Sequence, residues 1–436
     1  MRPLVLSLCP SGLRGEIFLP GDKSIAHRAI ILSSLAQGKT ILRNFPLNKD
    51  SLETVSAFRK LGIRIGLNRA SCQVIICGKE LFGLRRPGSG FYIKESGTTF
   101  RLLLGVLAGQ PFKTKLSAGP ALSRRPMLRV IEPLRLMGAK VSAKNQNYPP
   151  VIIEGNNLKG ITYKLPVASA QVKSAILLAG LFARGSTKVI EPVKARDHTE
   201  RMLKLFKAGL KIKGSAITIK GRKGLVSPGA LYIPSDVSSA AFFMVASSII
   251  PNSEIIIKNV SLNPGRLGVI NALKRMGARL AVQKSRLNYK GNEPVGDIQV
   301  KSSALFGIRI KKNEIPSLID ELPVLMVAAS LAKGISVFEG VNELRVKETD
   351  RIKSMLTNLA KMGADIKVVK PQGQENIIIK GVNELHGAKV RSFGDHRTAM
   401  SMVVAGLSAF GETNIDDISC INKSFPDFLK AIGKLI

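Results

Sequence analysis

The chain of 436 residues has no Trp, only 5% aromatic residues and four Cys. So few aromatic side chains leave little surface for stacking on nucleic-acid bases. The cysteines, Cys9, Cys72, Cys77 and Cys420, have neither CxxC nor metal-ligand spacing. Their number and spacing favour a cytoplasmic protein with reduced thiols and without a metal site.

Several sequence motifs are missing as well. No apolar run reaches membrane-spanning length without a charge or a Pro, and the N-terminus lacks a signal-peptide pattern. There is no P-loop and no GxGxxG after a predicted strand, so no nucleotide cofactor is indicated. No Ser-His-Asp or reactive-Cys arrangement stands out. We therefore expect neither a membrane nor a cofactor among the partners.

Acidic residues are scarce. The chain has 30 Asp plus Glu against 66 Lys plus Arg, which gives a formal net charge of +36. Such a balance would suit a nucleic-acid-binding protein. The basic residues are nevertheless dispersed, and no polybasic tail is present. We interpret them as a generally basic surface that binds no specific nucleic acid.

What the chain does contain is a helix opening that recurs six times. Each opening is a polar cluster followed by an apolar, small-residue run, and the clusters are residues 23–28, 96–101, 169–173, 235–239, 320–321 and 395–397. A helix N-terminus offers unpaired N–H groups and a partial positive charge, which suit a phosphate or carboxylate. The six openings together predict a shared site for a highly anionic substrate.

A second sequence pattern alternates with the helix openings. Amphipathic helices end at a Gly that we predict to be left-handed, followed by a short strand, and these glycines are Gly62, Gly138, Gly209, Gly277, Gly363 and Gly433. Residues 151–153 and 377–379 are typical of the strands. The alternation indicates six copies of an α/β unit, with a period of roughly 75 residues.

The length and the six copies favour two domains of three repeats each. Pro and Gly mark the boundaries, so we expect an N-terminal lobe at residues 21–235 and a C-terminal lobe of residues 1–20 plus 236–436. The N-terminal strand, residues 4–8, would then belong to the C-terminal lobe. Two crossings between lobes are typical of a hinge around a cleft.

The segment 345–351 concentrates charge ahead of a predicted helix. Asp350 or Thr349 is a suitable N-cap for a helix that runs to Met362. On a helix, Lys347 and Arg351 would be four residues apart and would repel each other unless an anion lay between them. A solvated, charged helix start is the alternative, and the similar segment 196–201 weakens it.

Asp320 and Glu321 interrupt a strongly apolar run. Burying carboxylates is expensive unless they are paired. Two interpretations are open: a general base partnered by Lys347 or Lys23, or a cap at the start of a helix.

Several of these segments together resemble one enzyme family. They are Gly21-Asp22-Lys23-Ser24, Ser96-Gly97-Thr98, Arg124-Arg125-Pro126-Met127, Ser169-Ala170-Gln171-Val172-Lys173-Ser174, residues 345–351, Asp395-His396-Arg397 and Lys423-Ser424-Phe425-Pro426-Asp427. In this order they are similar to the 5-enolpyruvylshikimate-3-phosphate synthases over nearly the whole chain. The resemblance implies an α/β fold of two lobes, each of three βαβαββ repeats, with a cleft between them.

The resemblance also implies an activity. Family members transfer the enolpyruvyl group of phosphoenolpyruvate to the 5-hydroxyl of shikimate 3-phosphate, a step of the shikimate pathway toward chorismate and aromatic amino acids. They use no metal or cofactor, and a monomer is expected.

The site residues implied by the resemblance fall into three groups. Shikimate 3-phosphate would be bound by Lys23, Ser24, Arg28, Ser169, Ala170, Gln171, Arg196, Asp320 and Lys347. Phosphoenolpyruvate would be bound by Lys23, Gly97, Arg125, Gln171, Arg351, Arg397 and Lys423. The catalytic group would be Asp320 for the hydroxyl proton, Glu348 at C3 and Lys23 near the leaving phosphate.

One departure from the family pattern lies in the phosphoenolpyruvate loop. Gly-Asn usually precedes Ser-Gly-Thr, but this chain has Lys94-Glu95. A Glu there adds negative charge beside an anion site, which would weaken substrate affinity unless Lys94 compensates.

Two alternatives remain. The first is an enolpyruvyl transferase that acts on UDP-N-acetylglucosamine, but that family typically opens with Lys-Asn and carries a Cys in the loop equivalent to residues 117–125, and this chain has neither. The second is a noncatalytic polyanion-binding protein, which would not need Asp320 or Glu348.

Overall fold

A computed structural model describes residues 3–285 and 293–436. The chain forms two compact units. The N-terminal unit comprises residues 21–233 with Glu293, and the C-terminal unit comprises residues 3–20, 234–285 and 294–436. The first strand pairs with the last one, Leu4 opposite Ile415, so the N-terminal segment belongs to the C-terminal unit.

The helices of the described residues are numbered α1 to α13 in chain order. They are Lys23–Leu35, Lys49–Lys60, Gly97–Leu107, Pro120–Ser123, Leu128–Leu136, Ala170–Gly180, His198–Leu205, Val237–Ile249, Gly268–Arg275, Leu322–Ser330, Arg351–Lys361, His396–Ser408 and Phe428–Gly433.

The strands of the same residues are numbered β1 to β25. They are Leu4–Leu6, Arg14–Phe18, Ala36–Gln37, Lys39–Arg43, Arg64–Asn68, Gln73–Cys77, Phe91–Ile93, Lys113–Ala118, Lys140–Lys144, Tyr148–Glu154, Thr162–Lys164, Ser186–Ile190, Gly209–Lys213, Ala216–Lys220, Leu225–Val226, Ala230–Tyr232, Glu254–Ser261, Arg279–Lys284, Val295–Lys301, Arg309–Ile310, Ile335–Phe338, Asp365–Val369, Asn376–Lys380, Lys389–Val390 and Thr413–Ile415.

One sheet topology recurs through both units. The four-stranded sheets are β7-β8-β10-β9, β11-β12-β14-β13 and β16-β4-β6-β5 in the N-terminal unit, and β2-β17-β19-β18 and β20-β21-β23-β22 in the C-terminal unit. Each begins with a parallel pair and continues with two antiparallel pairs, as in β7-β8 parallel and β8-β10-β9 antiparallel. The remaining sheet of the C-terminal unit, β24-β25-β1, keeps the parallel pair and one antiparallel pair. The predicted repeat is therefore confirmed.

Six helices form the centres of the two units. They are α1, α3 and α6 in the N-terminal unit and α8, α10 and α12 in the C-terminal unit, and all six predicted openings begin one of them. Nearly every residue of these helices is buried. A helix that is apolar on all faces is stable only when it is enclosed. The sheets and the amphipathic helices enclose them, and each unit has its own hydrophobic core.

The predicted left-handed glycines are confirmed at four positions. Gly62, Gly138, Gly277 and Gly363 have φ between 85° and 106°. The prediction is wrong at the other two positions, Gly209 and Gly433. After α7 the left-handed residue is Lys207, with φ 58°, because the turn comes two residues earlier and Gly209 already begins β13. Gly433 is the last residue of α13, where a right-handed Gly is tolerated.

Among the described residues, no helix is both long and apolar enough to cross a bilayer.

Gly105 allows α3 and α6 to approach each other closely. A Cβ on Gly105 would lie 2.3 Å from the carbonyl oxygen of Ala175. Gly105→Ala should therefore force the two buried helices apart and lower the free energy of unfolding by about 1–3 kcal/mol.

Urea unfolding followed by circular dichroism measures this loss. Gly224→Ala is the matched control in the same unit, because a Cβ on Gly224 meets nothing within 4 Å. Equal stability of the two variants would show that the helices can separate without cost.

Candidate active site

Four of the six central helices carry a carboxylate at their start. Asp22, Asp236 and Asp395 cap α1, α8 and α12 through their side chains, and Glu321 precedes α10. A carboxylate at this position offsets the positive end of the helix dipole. At these four helices, a carboxylate of the chain itself lies at the helix start. The caps of α3 and α6, Ser96 and Ser169, are neutral, so no carboxylate occupies the cap position of these two helices.

Lys23 is the first residue of α1. Its Nζ lies 2.8 Å from Oδ2 of Asp50 at the start of α2, and the side chain is largely buried. Asp22 accepts a hydrogen bond from the N–H of Ile25, which fixes the first turn of the helix. These contacts hold one cation at a defined position in the N-terminal unit.

Arg28 lies one turn further along α1 and is almost completely buried. Its Nε donates to Thr199 Oγ1 at 2.6 Å, and its terminal nitrogens donate to Ser174 Oγ and to the carbonyl oxygen of Ser24, both at 2.8 Å. Burial lowers the pKa of Arg28 to about 10, although the Glu200 carboxylate opposes this shift. The group stays charged at neutral pH, and it joins the starts of α1, α6 and α7.

Arg196 lies ahead of α7 and is half-buried. It is close enough to Arg28 for its charge to lower the pKa of Arg28. The structure therefore brings Arg196 into the same basic region as Arg28 and Ser24.

The starts of α3 and α6 hold a second basic group, which we call the cation cluster: Gly97, Thr98, Arg101, Arg125 and Gln171. Arg101 donates to Oε1 of Gln171 at 2.7 Å, and Nε2 of Gln171 donates to Thr98 Oγ1 at 2.9 Å. A Cβ on Gly97 would lie 2.7 Å from a terminal nitrogen of Arg125 and 3.0 Å from one of Arg101. Two guanidinium groups thus lie beside two helix starts with neutral caps.

Two residues of the N-terminal unit are not among the predicted site residues. Arg101 belongs to the predicted helix opening 96–101, and its spacing of four residues from Gly97 on α3 is consistent with a place in the cluster. Glu53, on α2, accepts hydrogen bonds from the backbone N–H groups of Lys94, Glu95 and Ser96. No local sequence signal points to that contact.

In the C-terminal unit, one guanidinium group binds three carboxylates. Arg351 is 1% exposed. It donates to Asp395 Oδ2 at 3.0 Å, to Asp320 Oδ1 at 3.4 Å and to Glu348 Oε2 at 2.6 Å. We call Arg351 and these three residues the carboxylate cluster. Burial would lower the pKa of Arg351, but Asp395, Glu348 and Asp320 outweigh it and the pKa is raised.

Arg397 binds the same cluster from α12. Its side chain donates to the backbone oxygen of Asp320 at 2.7 Å, and its Nε lies 3.8 Å from Asp320 Oδ1. Asp320 thus contacts two arginines, Arg351 and Arg397. Asp320 is a paired, half-buried carboxylate, as a candidate base requires.

Glu321 does not cap α10 with its side chain. It is fully buried, accepts a hydrogen bond from Ser238 Oγ and lies 3.7 Å from Arg266. The cap interpretation is therefore wrong for Glu321, because the neighbouring arginine and serine stabilise the carboxylate better than the helix end does.

The segment before α11 is partly as predicted. Asp350 caps the helix by accepting from the N–H of Lys353 at 2.9 Å, and the helix ends at Lys361 with Met362 as its C-cap. Lys347 lies outside the helix in extended backbone, so the predicted repulsion on one helix face does not arise. Lys423 ends a short 3-10 helix, Ser419–Lys423, and is 7% exposed.

Within residues 3–285 and 293–436, no group of three or more His, Cys, Asp and Glu side chains is placed to hold a metal ion.

The fold and these clusters define a class of protein, namely enzymes that act on multiply charged anions. Buried, fixed cations at helix starts, with a few paired carboxylates, suit multiply charged anions whose charge shifts during a reaction. Solved structures of the same class agree: the EPSP synthase from Acinetobacter baumannii superimposes with a TM-score of 0.87 and 41% sequence identity, covering 100% of this chain and 98% of that one. The expected enolpyruvyl transferase fold is confirmed.

Sequence comparison identifies the family. Residues 9–432 match EPSP synthase (3-phosphoshikimate 1-carboxyvinyltransferase). The chain is 47% identical over 437 residues to the 3-phosphoshikimate 1-carboxyvinyltransferase of Syntrophomonas wolfei, with 100% of both chains covered. It is 46% identical over 425 residues to that of Desulforamulus reducens, with 97% of each chain covered. The chain belongs to the EPSP synthase family.

The carboxylate cluster leads to a stability prediction. Arg351→Met would leave three carboxylates without their shared cation, so the free energy of unfolding should fall by about 3–5 kcal/mol at neutral pH. The loss should shrink as the pH is lowered toward 5, because protonation of a carboxylate relieves the repulsion. Arg351 itself contributes no pH dependence there, since its raised pKa keeps it charged.

Urea unfolding at pH 7.5 and at pH 5 measures the effect. Arg309→Met is the control, because the exposed pair of Arg309 and Glu339 is screened by water. An equal loss for Arg351→Met at both pH values would contradict the assigned charge balance.

Proposed function

We propose that this chain transfers the 1-carboxyvinyl group of phosphoenolpyruvate to the 5-hydroxyl of shikimate 3-phosphate and releases phosphate. This is the reaction for which the family and its relatives are named. The observation that carries the proposal is the meeting of Asp320 and Glu348 on the guanidinium of Arg351. The reaction needs two proton-transfer groups near one anion site, and this cluster supplies them.

In the first step, the hydroxyl oxygen of shikimate 3-phosphate bonds to C2 of phosphoenolpyruvate. Asp320 takes the hydroxyl proton, and Glu348 gives a proton to C3, which produces a tetrahedral intermediate. Both groups are anchored to Arg351, so their positions are set before substrate arrives.

In the second step, the bond from C2 to the phosphate oxygen breaks. C3 returns its proton to Glu348, which forms the vinyl ether, and inorganic phosphate departs. Lys23, held by Asp50, assists proton transfer to the departing phosphate. Asp320 passes the hydroxyl proton by way of Lys23 to the phosphate, so Asp320 and Glu348 return to their starting protonation states and no oxidant or cofactor is needed.

Shikimate 3-phosphate is assigned to the basic region around α1, α6 and α7. Its ligands would be Lys23, Ser24, Arg28, Ser169, Ala170, Gln171 and Arg196, with Asp320 and Lys347 from the C-terminal unit. Arg28 already uses donors on Ser24, Ser174 and Thr199. It has five N–H donors, so it both positions the region and has N–H groups left for the ligand.

Phosphoenolpyruvate is assigned to the cation cluster. Gly97, Arg125, Gln171 and Lys23 would bind it, with Arg351, Arg397 and Lys423 from the C-terminal unit. The support is the starts of α3 and α6, whose caps are neutral, beside two guanidinium groups.

The two alternative functions are not favoured by the comparisons. A UDP-N-acetylglucosamine transferase would belong to another family, and a polyanion-binding protein would not need buried proton-transfer groups. We further propose a cytoplasmic monomer that binds no specific nucleic acid, in keeping with four free cysteines.

Phosphate release tests the function directly. Purified protein is mixed with phosphoenolpyruvate and either shikimate 3-phosphate or UDP-N-acetylglucosamine. Release with shikimate 3-phosphate alone is expected. Release with neither acceptor, from folded protein, would overturn the proposal.

The proton-transfer roles lead to a separate prediction. Asp320→Asn and Glu348→Gln keep the shape of each side chain but remove its basicity, so kcat should fall by about 10²–10⁴-fold. Binding of shikimate 3-phosphate, measured by calorimetry, should persist, because positioning and proton transfer are separable.

Glu412→Gln is the matched control, since Glu412 is exposed in the same unit. Near-normal turnover of both Asp320→Asn and Glu348→Gln would remove the assigned roles.

A further inference from the structure

The first turns of α2 carry three polar side chains that the assigned site does not include. Asp50, Glu53 and Thr54 are spaced i, i+3 and i+4, so they lie on one face of the helix. Asp50 binds Lys23. The other two bind the segment that begins α3, which is where the cation cluster starts.

Glu53 makes the most unusual of these contacts. Its Oε1 accepts from the backbone N–H of Lys94 at 2.9 Å and of Glu95 at 3.3 Å, and its Oε2 accepts from that of Ser96 at 3.0 Å. Three successive N–H groups of one loop thus converge on a single carboxylate. Hydrogen bonds to an ionised acceptor are about twice as strong as neutral ones.

The loop leads directly into the cation cluster. Ser96 accepts from the N–H of Thr99 and so caps α3, and Gly97 is the first helical residue. Gly97 lies against the guanidinium of Arg125, as the 2.7 Å distance from its ideal Cβ position shows. A shift of the loop would therefore change the space between the helix start and this arginine.

Thr54 contacts the same segment through its hydroxyl group. Its hydroxyl lies 2.7 Å from that of Thr99 and 2.6 Å from Nδ1 of His27. His27 is fully buried, and burial lowers its pKa to about 3, so the ring is neutral. This second contact orients the first turn of α3, but the backbone of the loop itself is held by Glu53.

We propose that Glu53 is a positioning residue for phosphoenolpyruvate binding: it holds the backbone of residues 94–96 and thereby sets the distance between Gly97 and Arg125. The inference rests on the proposed function for the identity of the anion. The loop binds Glu53 through backbone N–H groups, so these contacts do not depend on the side chains of Lys94 and Glu95. The side chain of Lys94 is exposed.

Steady-state kinetics of Glu53→Ala test the proposal. The KM for phosphoenolpyruvate should rise about tenfold, whereas the KM for shikimate 3-phosphate and kcat should stay within about twofold of the wild type. Glu53→Gln keeps one acceptor oxygen, so its KM for phosphoenolpyruvate should lie between the two. Glu132→Ala is the matched control, because Glu132 is an exposed helical Glu in the same unit.

Hydrogen exchange provides a readout that does not depend on activity. Peptides that cover residues 94–99 should exchange faster in Glu53→Ala than in the wild type, with no change in Glu132→Ala. Unchanged exchange would show that Glu53 does not hold the loop. Faster exchange with an unchanged KM for phosphoenolpyruvate would show that the loop position does not matter for binding.

The two proposals fail in different ways. A wild-type protein that releases no phosphate would overturn the proposed function, while the exchange experiment would still test the contact with Glu53. An active wild type with equal increases in both KM values for Glu53→Ala would overturn the positioning role.

Discussion

The structure depends on the enclosure of six apolar helices, three in each unit. Nearly all of their residues are buried, so polar groups can be satisfied only at the helix ends. The starts of these helices therefore collect the charged side chains that the cores exclude. Because buried charges must be paired, they become a fixed array of cations and carboxylates. The candidate site is the consequence of how the cores are built.

The charged groups of this array differ between the two units. In the N-terminal unit, the helices α3 and α6 have neutral serine caps, and Arg101 and Arg125 lie beside their starts. In the C-terminal unit, Asp320, Glu348 and Asp395 converge on Arg351. The cluster of the N-terminal unit is rich in cations, whereas the cluster of the C-terminal unit pairs three carboxylates with one buried arginine.

Much of this organisation was predictable because it is local. Asp350 as a cap, the left-handed Gly62 and Gly138, and the six helix openings follow from rules that act over a few residues. The partners of charged groups were predicted less well. Asp320 contacts Arg351 and Arg397, which are 31 and 77 residues away and were not among its expected partners. Glu53 binds a loop 41 residues further along the chain. Such contacts produce no periodic pattern in the sequence.

The repeat, the helices that must be buried and the division into helices and strands could be predicted from the sequence, as could the family motifs. The reason is that hydrophobic periodicity and turn chemistry act within single segments. Only the tertiary structure decided which carboxylate meets which guanidinium and what holds the loop before Gly97. The physical reason is that the free energy of a buried charge depends on its neighbours in space. Those neighbours come from different repeats, and they meet only when the chain has folded.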